Sequence, residues 1–462
     1  MSDPALTPLI PQIEALARQT LATHRLPGLA LGIVRDQQLA WWGGFGAANL
    51  ESGAAPDQHS LARVASVTKT FTTTAILQLR DQGLLGLDDP LVDHLSEFAQ
   101  VQPLAGPVEG VTLRRLLTHR SGLVTEAPVL GWGAERFPSR DEILGALPQT
   151  QIVIPQDSSW KYSNLGFGLL GEVIARLSGQ PYTAYIHEHI LAPLGLESTV
   201  FDLTDDLRHR CLTGYDHDPY QDRPAPARYA HLDGIAAAGQ LHSSVDDLSR
   251  WIAFQFCTDG GPRQGAQILA GTTLAEIQRP QYMESDWSAG QCLGWRANRI
   301  GDRVYHSHGG GIYGFGTQVV FNTPSRTGAV LFINIWPPPG GTDLAEKVLE
   351  LILDAEPTPT PQIDLSPTPD AWRPLLGHYV AAPGIHVDIV HRDGRLRMVP
   401  HGGRASSLHA PGVLQATDQS DRWQVVGGRA AGETAVFTLA DNGQVLSYEL
   451  GAFVFVKQGP TA

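Results

Sequence analysis

Late in the chain a proline-rich stretch, Ala355-Glu-Pro-Thr-Pro-Thr-Pro-Gln-Ile-Asp-Leu-Ser-Pro-Thr-Pro369, breaks every regular pattern that precedes and follows it. Proline fixes its own φ and disfavours helix in the residue before it, so a run of this kind is semi-extended and reads as a linker. At 462 residues the chain is also longer than one hydrophobic core usually supports. The expected organisation is a large domain over residues 1–355, a linker over 356–370 and a small domain over 371–462.

The large segment mixes two periods. Ile13, Leu16, Ala17 and Leu21 recur at helical spacing, and Leu29 to Val34 and Leu39 to Trp42 read as two strands about a polar turn. Helical patterns follow at Phe71 to Leu79, stopping at Gly83, at Leu113 to Leu117, at Leu165 to Leu177, and at Leu248 to Phe256 behind a serine cap at Ser243 or Ser244. Strands return at Arg303 to His306, Gly316 to Phe321 and Gly328 to Asn334, before a helix near Asp343 to Leu353. This predicts an α+β fold: a sheet assembled from both ends of the segment, with helices inserted between.

The tail alternates with period two at Ile385 to Val390, Arg395 to Val399, Trp423 to Val426, Thr434 to Leu439 and Phe453 to Val456. Asp393-Gly394 and Asn442-Gly443 supply hairpin turns. The expectation is a small all-β barrel.

Composition narrows the partners. A formal net charge of −14 without any basic run argues against nucleic acid and anionic membrane, which both require clustered positive charge. Three dispersed cysteines, Cys211, Cys257 and Cys292, form no metal-type spacing and suit free thiols. Neither a basic, apolar leader at Met1 nor a membrane-length apolar run is visible, so a cytoplasmic location is expected. No cofactor is indicated, and self-association is left open.

The chemistry lies in Ser66-Val-Thr-Lys69. A serine hydroxyl is a weak nucleophile at neutral pH and needs a base within hydrogen-bond reach; one helical turn places a lysine at that distance. The chain has only four lysines, Lys69, Lys161, Lys347 and Lys457, yet two complete the S-x-x-K pattern, where chance gives on the order of 0.2 matches. Ser158-Ser-Trp-Lys161 lies in a loop, whereas Ser66 opens a long apolar-periodic helix that would bury Lys69. Context favours Ser66.

Ser66-Val-Thr-Lys69, Tyr162-Ser-Asn164 and His308-Gly-Gly310, in that order, resemble the three signature elements of the serine β-lactamase and penicillin-recognising superfamily, in particular its class C-like branch of DD-peptidases, D-aminopeptidases and family VIII esterases. Leu87-Asp-Asp-Pro90, Thr112 to Gly122 and Pro193-Leu-Gly195 support the resemblance, which spans roughly residues 8 to 355. The tail resembles the lipocalin-like domain carried by some D-amino-acid-specific peptidases.

The resemblance implies Ser66 as acylated nucleophile, Lys69 as its activator and Tyr162 as proton carrier, leaving open which of the two takes the serine proton. A tyrosine beside an ammonium is expected to have a lowered pKa. Asn164 would bond the acyl side of the substrate and Lys69, with Gly309, Gly310 and Gly311 lining the strand that supplies the oxyanion hole. His308 replaces the lysine typical of β-lactamases and anchors a carboxylate less firmly, which leans away from β-lactam hydrolysis.

The implied activity is hydrolysis of small peptides or amides containing D-residues; ester hydrolysis, weak β-lactam hydrolysis and non-catalytic binding are the alternatives. Taken alone, Asn164 reads as a helix cap and the three glycines as a turn. His306-Ser-His308 and His187-Glu-His189 lack a third ligand for a metal. His119 reads as a structural donor, and Trp132, Trp160, Tyr313 and Phe315 as pocket or packing residues. Loops over Val124 to Pro138 and Tyr215 to Gly234 are expected to set specificity.

Overall fold

A computed structural model describes residues 3–129, 137–217, 223–259, 265–338, 340–355, 366–382, 385–400 and 412–459. The chain divides into two compact units, Met1–Glu356 and Pro357–Ala462. Most of the expected linker, residues 356–365, lies outside the described residues, as does Trp132.

The first unit is built on eight antiparallel strands: β1 Gly28–Arg35, β2 Gln38–Gly46, β3 Tyr282–Met283, β4 Ala289–Gln291, β5 Arg296–Ile300, β6 Arg303–Ile312, β7 Phe315–Asn322 and β8 Thr327–Ile333. Their order, β2-β1-β8-β7-β6-β5-β4-β3, joins the two ends of the unit through β1 and β8, with Gly32 opposite Val330. Alternate residues of β1 serve different layers. Leu29, Leu31 and Ile33 pack with α1 Ile10–Thr23 and with Val348, Leu349 and Ile352 near the unit's end, while Ala30 and Val34 belong to the larger core of the helical side. Both faces are therefore covered, and the strand reads as a continuous apolar run.

Helix α2 Thr68–Asp81 runs through the centre of this core and is buried on all sides from Thr68 to Leu79. So many threonines are tolerated there because their hydroxyls bond back to the preceding turn: Thr70 to Val67 O at 2.8 Å, Thr73 to Lys69 O at 2.9 Å and Thr74 to Thr70 O at 3.0 Å. Phe71 stacks on Trp251 with centroids 3.9 Å apart, which ties α2 to α4 Val245–Gln255, and α3, counted here as Asn164–Ser178, belongs to the same core. The cap of α4 is Ser244, which accepts from Asp247 N. Helix α5 Leu344–Ala355 closes the unit.

The second unit is a closed barrel of eight strands: β9 Gly377–Ala382, β10 Ile385–Arg392, β11 Arg395–Pro400, β12 Gly412–Ala416, β13 Arg422–Val426, β14 Thr434–Leu439, β15 Val445–Leu450 and β16 Phe453–Lys457. Tyr379, Leu396, Ala435 and Tyr448 fill its core. Asp393 and Gly394, both at positive φ, make the β10–β11 turn. The sequence pattern identified five of these strands; β9, β12 and β15 went unseen.

Candidate active site

The serine approaches its helix through a strained turn. Ala65 has φ +46, in the left-handed region that costs a residue with a side chain about 1–2 kcal/mol, and the next three-residue 3-10 turn carries Ser66 into α2. Strand β6 passes directly against this turn. A Cβ on Gly310 would lie 2.1 Å from Val64 O, and one on Gly311 would lie 2.0 Å from the Trp336 ring. The three glycines thus belong to a strand, not to a turn, and close approach explains two of them.

Ser66 Oγ meets two side chains. Lys69 Nζ lies 3.1 Å away, and the Tyr162 hydroxyl donates to it at 2.8 Å. Lys69 also donates to Asn164 Oδ1 at 2.8 Å and to Ala238 O at 2.7 Å. It has no solvent exposure, and burial pushes its pKa down to about 7 against a smaller opposing pull from Glu126. In the neutral form its two N–H groups are committed to Asn164 and Ala238, so its lone pair faces the serine hydroxyl. That arrangement can accept the serine proton.

Tyr162 corrects a sequence expectation. Its pKa is not lowered but raised to about 12, first by burial and then by the charge of Glu126. Lys69 sits over the ring face, 4.9 Å from the centroid. With its proton held in this way, the Tyr162 hydroxyl is a donor to Ser66 Oγ.

Asn164 is not the cap of α3. Ser163 caps it, accepting from Gly166 N at 2.9 Å, and this frees the Asn164 carboxamide to bridge Lys69 and Glu126, donating to Glu126 Oε1 at 2.6 Å. His119 accepts from Ser163 N at 3.2 Å, the reverse of the donor role expected of it, and its ring lies 4.3 Å from that of Tyr162. His308 donates through Nδ1 to Gly309 O at 2.7 Å, and burial together with the Lys69 charge lowers its pKa to about 4. It is neutral at pH 7.

The second S-x-x-K comes apart. Ser158 Oγ donates to Pro155 O, and Lys161 Nζ donates to Thr125 Oγ1. His306 donates to Gln278 O and His189 meets Gln180; among the described residues no cluster of three His, Cys, Asp or Glu side chains is placed to hold a metal ion. No helix of the described residues is long and apolar enough to cross a membrane. Cys211 and Cys292 are free thiols.

Ser66, Asn164, Glu126, Gly311, Tyr313 and Trp336 line a cavity of about 250 Å³, and Trp160, Tyr162, Arg296 and His308 line another of about 250 Å³. Phe315 is a packing residue, buried in the core. Sequence reasoning missed Glu126, Ala238 and Trp336. Only Glu126 left a trace, as the sole acidic residue between Gly110 and Ala134, within a loop expected to set specificity.

A sheet covered on both faces, a buried central helix carrying serine and lysine, and a tyrosine and asparagine brought to them define a protein of the β-lactamase and penicillin-recognising serine hydrolase superfamily. The chain belongs to the Beta-lactamase family, whose model matches residues 13–353. A human protein described as beta-lactamase-like 1 is 28% identical over 429 residues, covering 88% of this chain and 81% of that protein. The D-alanyl-D-alanine-carboxypeptidase/endopeptidase AmpH of Escherichia coli (strain K12) is 29% identical over 259 residues, 55% of this chain and 63% of that one.

Two solved structures share the fold. The octameric penicillin-binding protein homologue from Pyrococcus abyssi superposes with a TM-score of 0.64 at 22% identity, covering 97% of this chain and 100% of that one. A class C β-lactamase from Rhodobacter sphaeroides gives 0.63 at 22% identity, with 74% and 99% covered.

Proposed function

We propose that this chain is a serine hydrolase that works through an acyl-enzyme on Ser66 and acts on small peptides or amides with a D-residue on the acyl side. The observation that carries the reading is Ser66 Oγ held between Lys69 Nζ at 3.1 Å and the Tyr162 hydroxyl at 2.8 Å, with the Lys69 pKa brought to about 7. Lys69 takes the hydroxyl proton as Oγ bonds to the carbonyl carbon. The scissile C–N bond then breaks, and the leaving nitrogen receives a proton relayed through Tyr162. Lys69, neutral again after that relay, takes a proton from the water that attacks the ester and returns one to Ser66 Oγ as it leaves.

The Ser66 and Gly311 amides, brought together by the close approach of β6, are the oxyanion donors in this reading. The D-residue preference draws on the carboxypeptidase activity in the name of the Escherichia coli relative. A neutral His308 where β-lactamases carry lysine weighs against a dedicated β-lactamase. Localisation in the cytoplasm and assembly into oligomers belong to the same proposal, the latter supported by the octameric fold relative.

Intact-mass analysis after fluorophosphonate treatment tests the acyl-enzyme: one adduct on the wild type and none on Ser66→Ala is expected, and an adduct that survives the substitution overturns the assignment. Turnover of D-alanine p-nitroanilide, p-nitrophenyl butyrate and a chromogenic cephalosporin sorts the substrate class. Ester turnover with an untouched anilide would make the chain an esterase using the same residues.

A further inference from the structure

Among the described residues Glu126 is the single charged side chain lining the Ser66 cavity, with mostly apolar neighbours that include Phe137, Ile312 and Trp336. Its Oε1 accepts from Asn164 Nδ2 at 2.6 Å. Its Oε2 is buried and has no hydrogen-bond partner among the described residues. A carboxylate oxygen removed from water without a donor is costly, so the site lacks one half of an interaction.

The nearby cations do not supply it. Lys69 is committed to Ser66, Asn164 and Ala238, and Lys161 donates to Thr125. The complement to a lone acceptor in an apolar cavity is a compact cation with several N–H groups, and a primary ammonium meets both demands. In an α-aminoacyl substrate the amino group is one carbon from the carbonyl that Ser66 attacks. Ser66 and Glu126 line one cavity, so a group that close to the attacked carbonyl would lie in it.

We propose that Glu126 is the receptor for a free α-ammonium on the acyl side of the substrate, making the enzyme selective for unblocked aminoacyl amides and dipeptides over N-acylated ones. The inference rests on the Ser66 acyl-enzyme reading above. An N-acyl group would replace the charge by a neutral amide and bring a carbonyl oxygen toward the carboxylate, which is repulsive. Burial raises the Glu126 carboxyl pKa, and an arriving ammonium offsets that penalty on the anion.

The experiment compares D-alanine p-nitroanilide with its N-acetyl and N-succinyl derivatives on wild type, Glu126→Gln and Glu126→Lys, alongside fluorophosphonate labelling of Ser66. Wild type is expected to favour the free amine by about ten- to a hundred-fold in kcat/KM, the range of one charge-assisted bond. Glu126→Gln should lose most of that ratio through KM for the free amine, and Glu126→Lys should turn the preference toward the N-succinyl substrate.

Equal use of free and acetylated substrates by a wild type that labels at Ser66 overturns the inference and leaves the acyl-enzyme standing. A Glu126→Gln variant that slows both substrates equally also overturns it, reducing Glu126 to a support for Asn164. Absence of any Ser66 adduct on the wild type brings down the acyl-enzyme itself.

Discussion

Lys69 and Glu126 are joined through one carboxamide: Asn164 accepts from Lys69 Nζ at 2.8 Å and donates to Glu126 Oε1 at 2.6 Å. The acidic group therefore acts on the lysine by its field, favouring the ammonium against the burial that disfavours it. Two consequences for pH dependence follow from that sign. With p-nitrophenyl butyrate, which has no amine of its own, kcat/KM should rise with pH through about 7 as Lys69 loses its proton. Glu126→Gln removes the field and should move this limb toward acid; a limb that stays in place or moves toward alkali contradicts the coupling.

Tyr162 carries a different signature, because its raised pKa makes it a donor at working pH. Tyr162→Phe keeps the ring against His119 and removes the hydroxyl that meets Ser66. A p-nitrophenolate departs without help, whereas an amide nitrogen must be protonated to leave. The substitution should cost about 10²–10⁴ in kcat/KM on an unactivated D-alanyl peptide, and clearly less on p-nitrophenyl butyrate. Steady-state kinetics on the two substrates checks this, and equal losses would place Tyr162 in support of Ser66 geometry alone.

Gly310 tests the contact between sheet and nucleophile. A Cβ there would stand 2.1 Å from Val64 O, a backbone atom that cannot swing aside. Gly310→Ala should force β6 and the Ala65 turn apart, costing about 1–3 kcal/mol of stability and most of the turnover together. Thermal unfolding and kcat on one preparation measure both; an unchanged melting temperature would show that the strand yields freely.

What was legible in the chain followed the reach of each signal. Local spacing placed Ser66 and Lys69 one turn apart and marked α2, α3 and the central strands, because burial of one face imposes a period that survives in the sequence. The family and the fold class followed from motif order. Strands β9, β12 and β15 escaped, since Gly377 and Gly412 open two of them and the third follows a turn-rich stretch. The positive φ of Ala65, the Ala238 carbonyl on Lys69 and the Glu126 carboxylate arise only when distant segments close on one another. The Tyr162 pKa went in the opposite direction for the same reason: the sequence placed a lysine nearby but could not show the burial and the Glu126 charge that raise it.

Acid should weaken the fold in a predictable window. Burial, and after it the Arg63 charge, lowers the pKa of the buried His242 to about 3; His306 is lowered to about 4 by burial, against its bond to Gln278. In both, the folded pKa lies below the unfolded value of about 6.5. The unfolded chain therefore binds protons first as pH falls. Each of these two histidines should contribute nothing to the pH dependence above about 6.5 and a decline of about 1.4 kcal/mol per pH unit below it, down to about 4. Urea unfolding at a series of pH values reads this slope directly. His306→Gln keeps a donor for Gln278 O and should flatten the slope, even where it lowers the absolute stability; a slope unaffected by the substitution would remove His306 from the account.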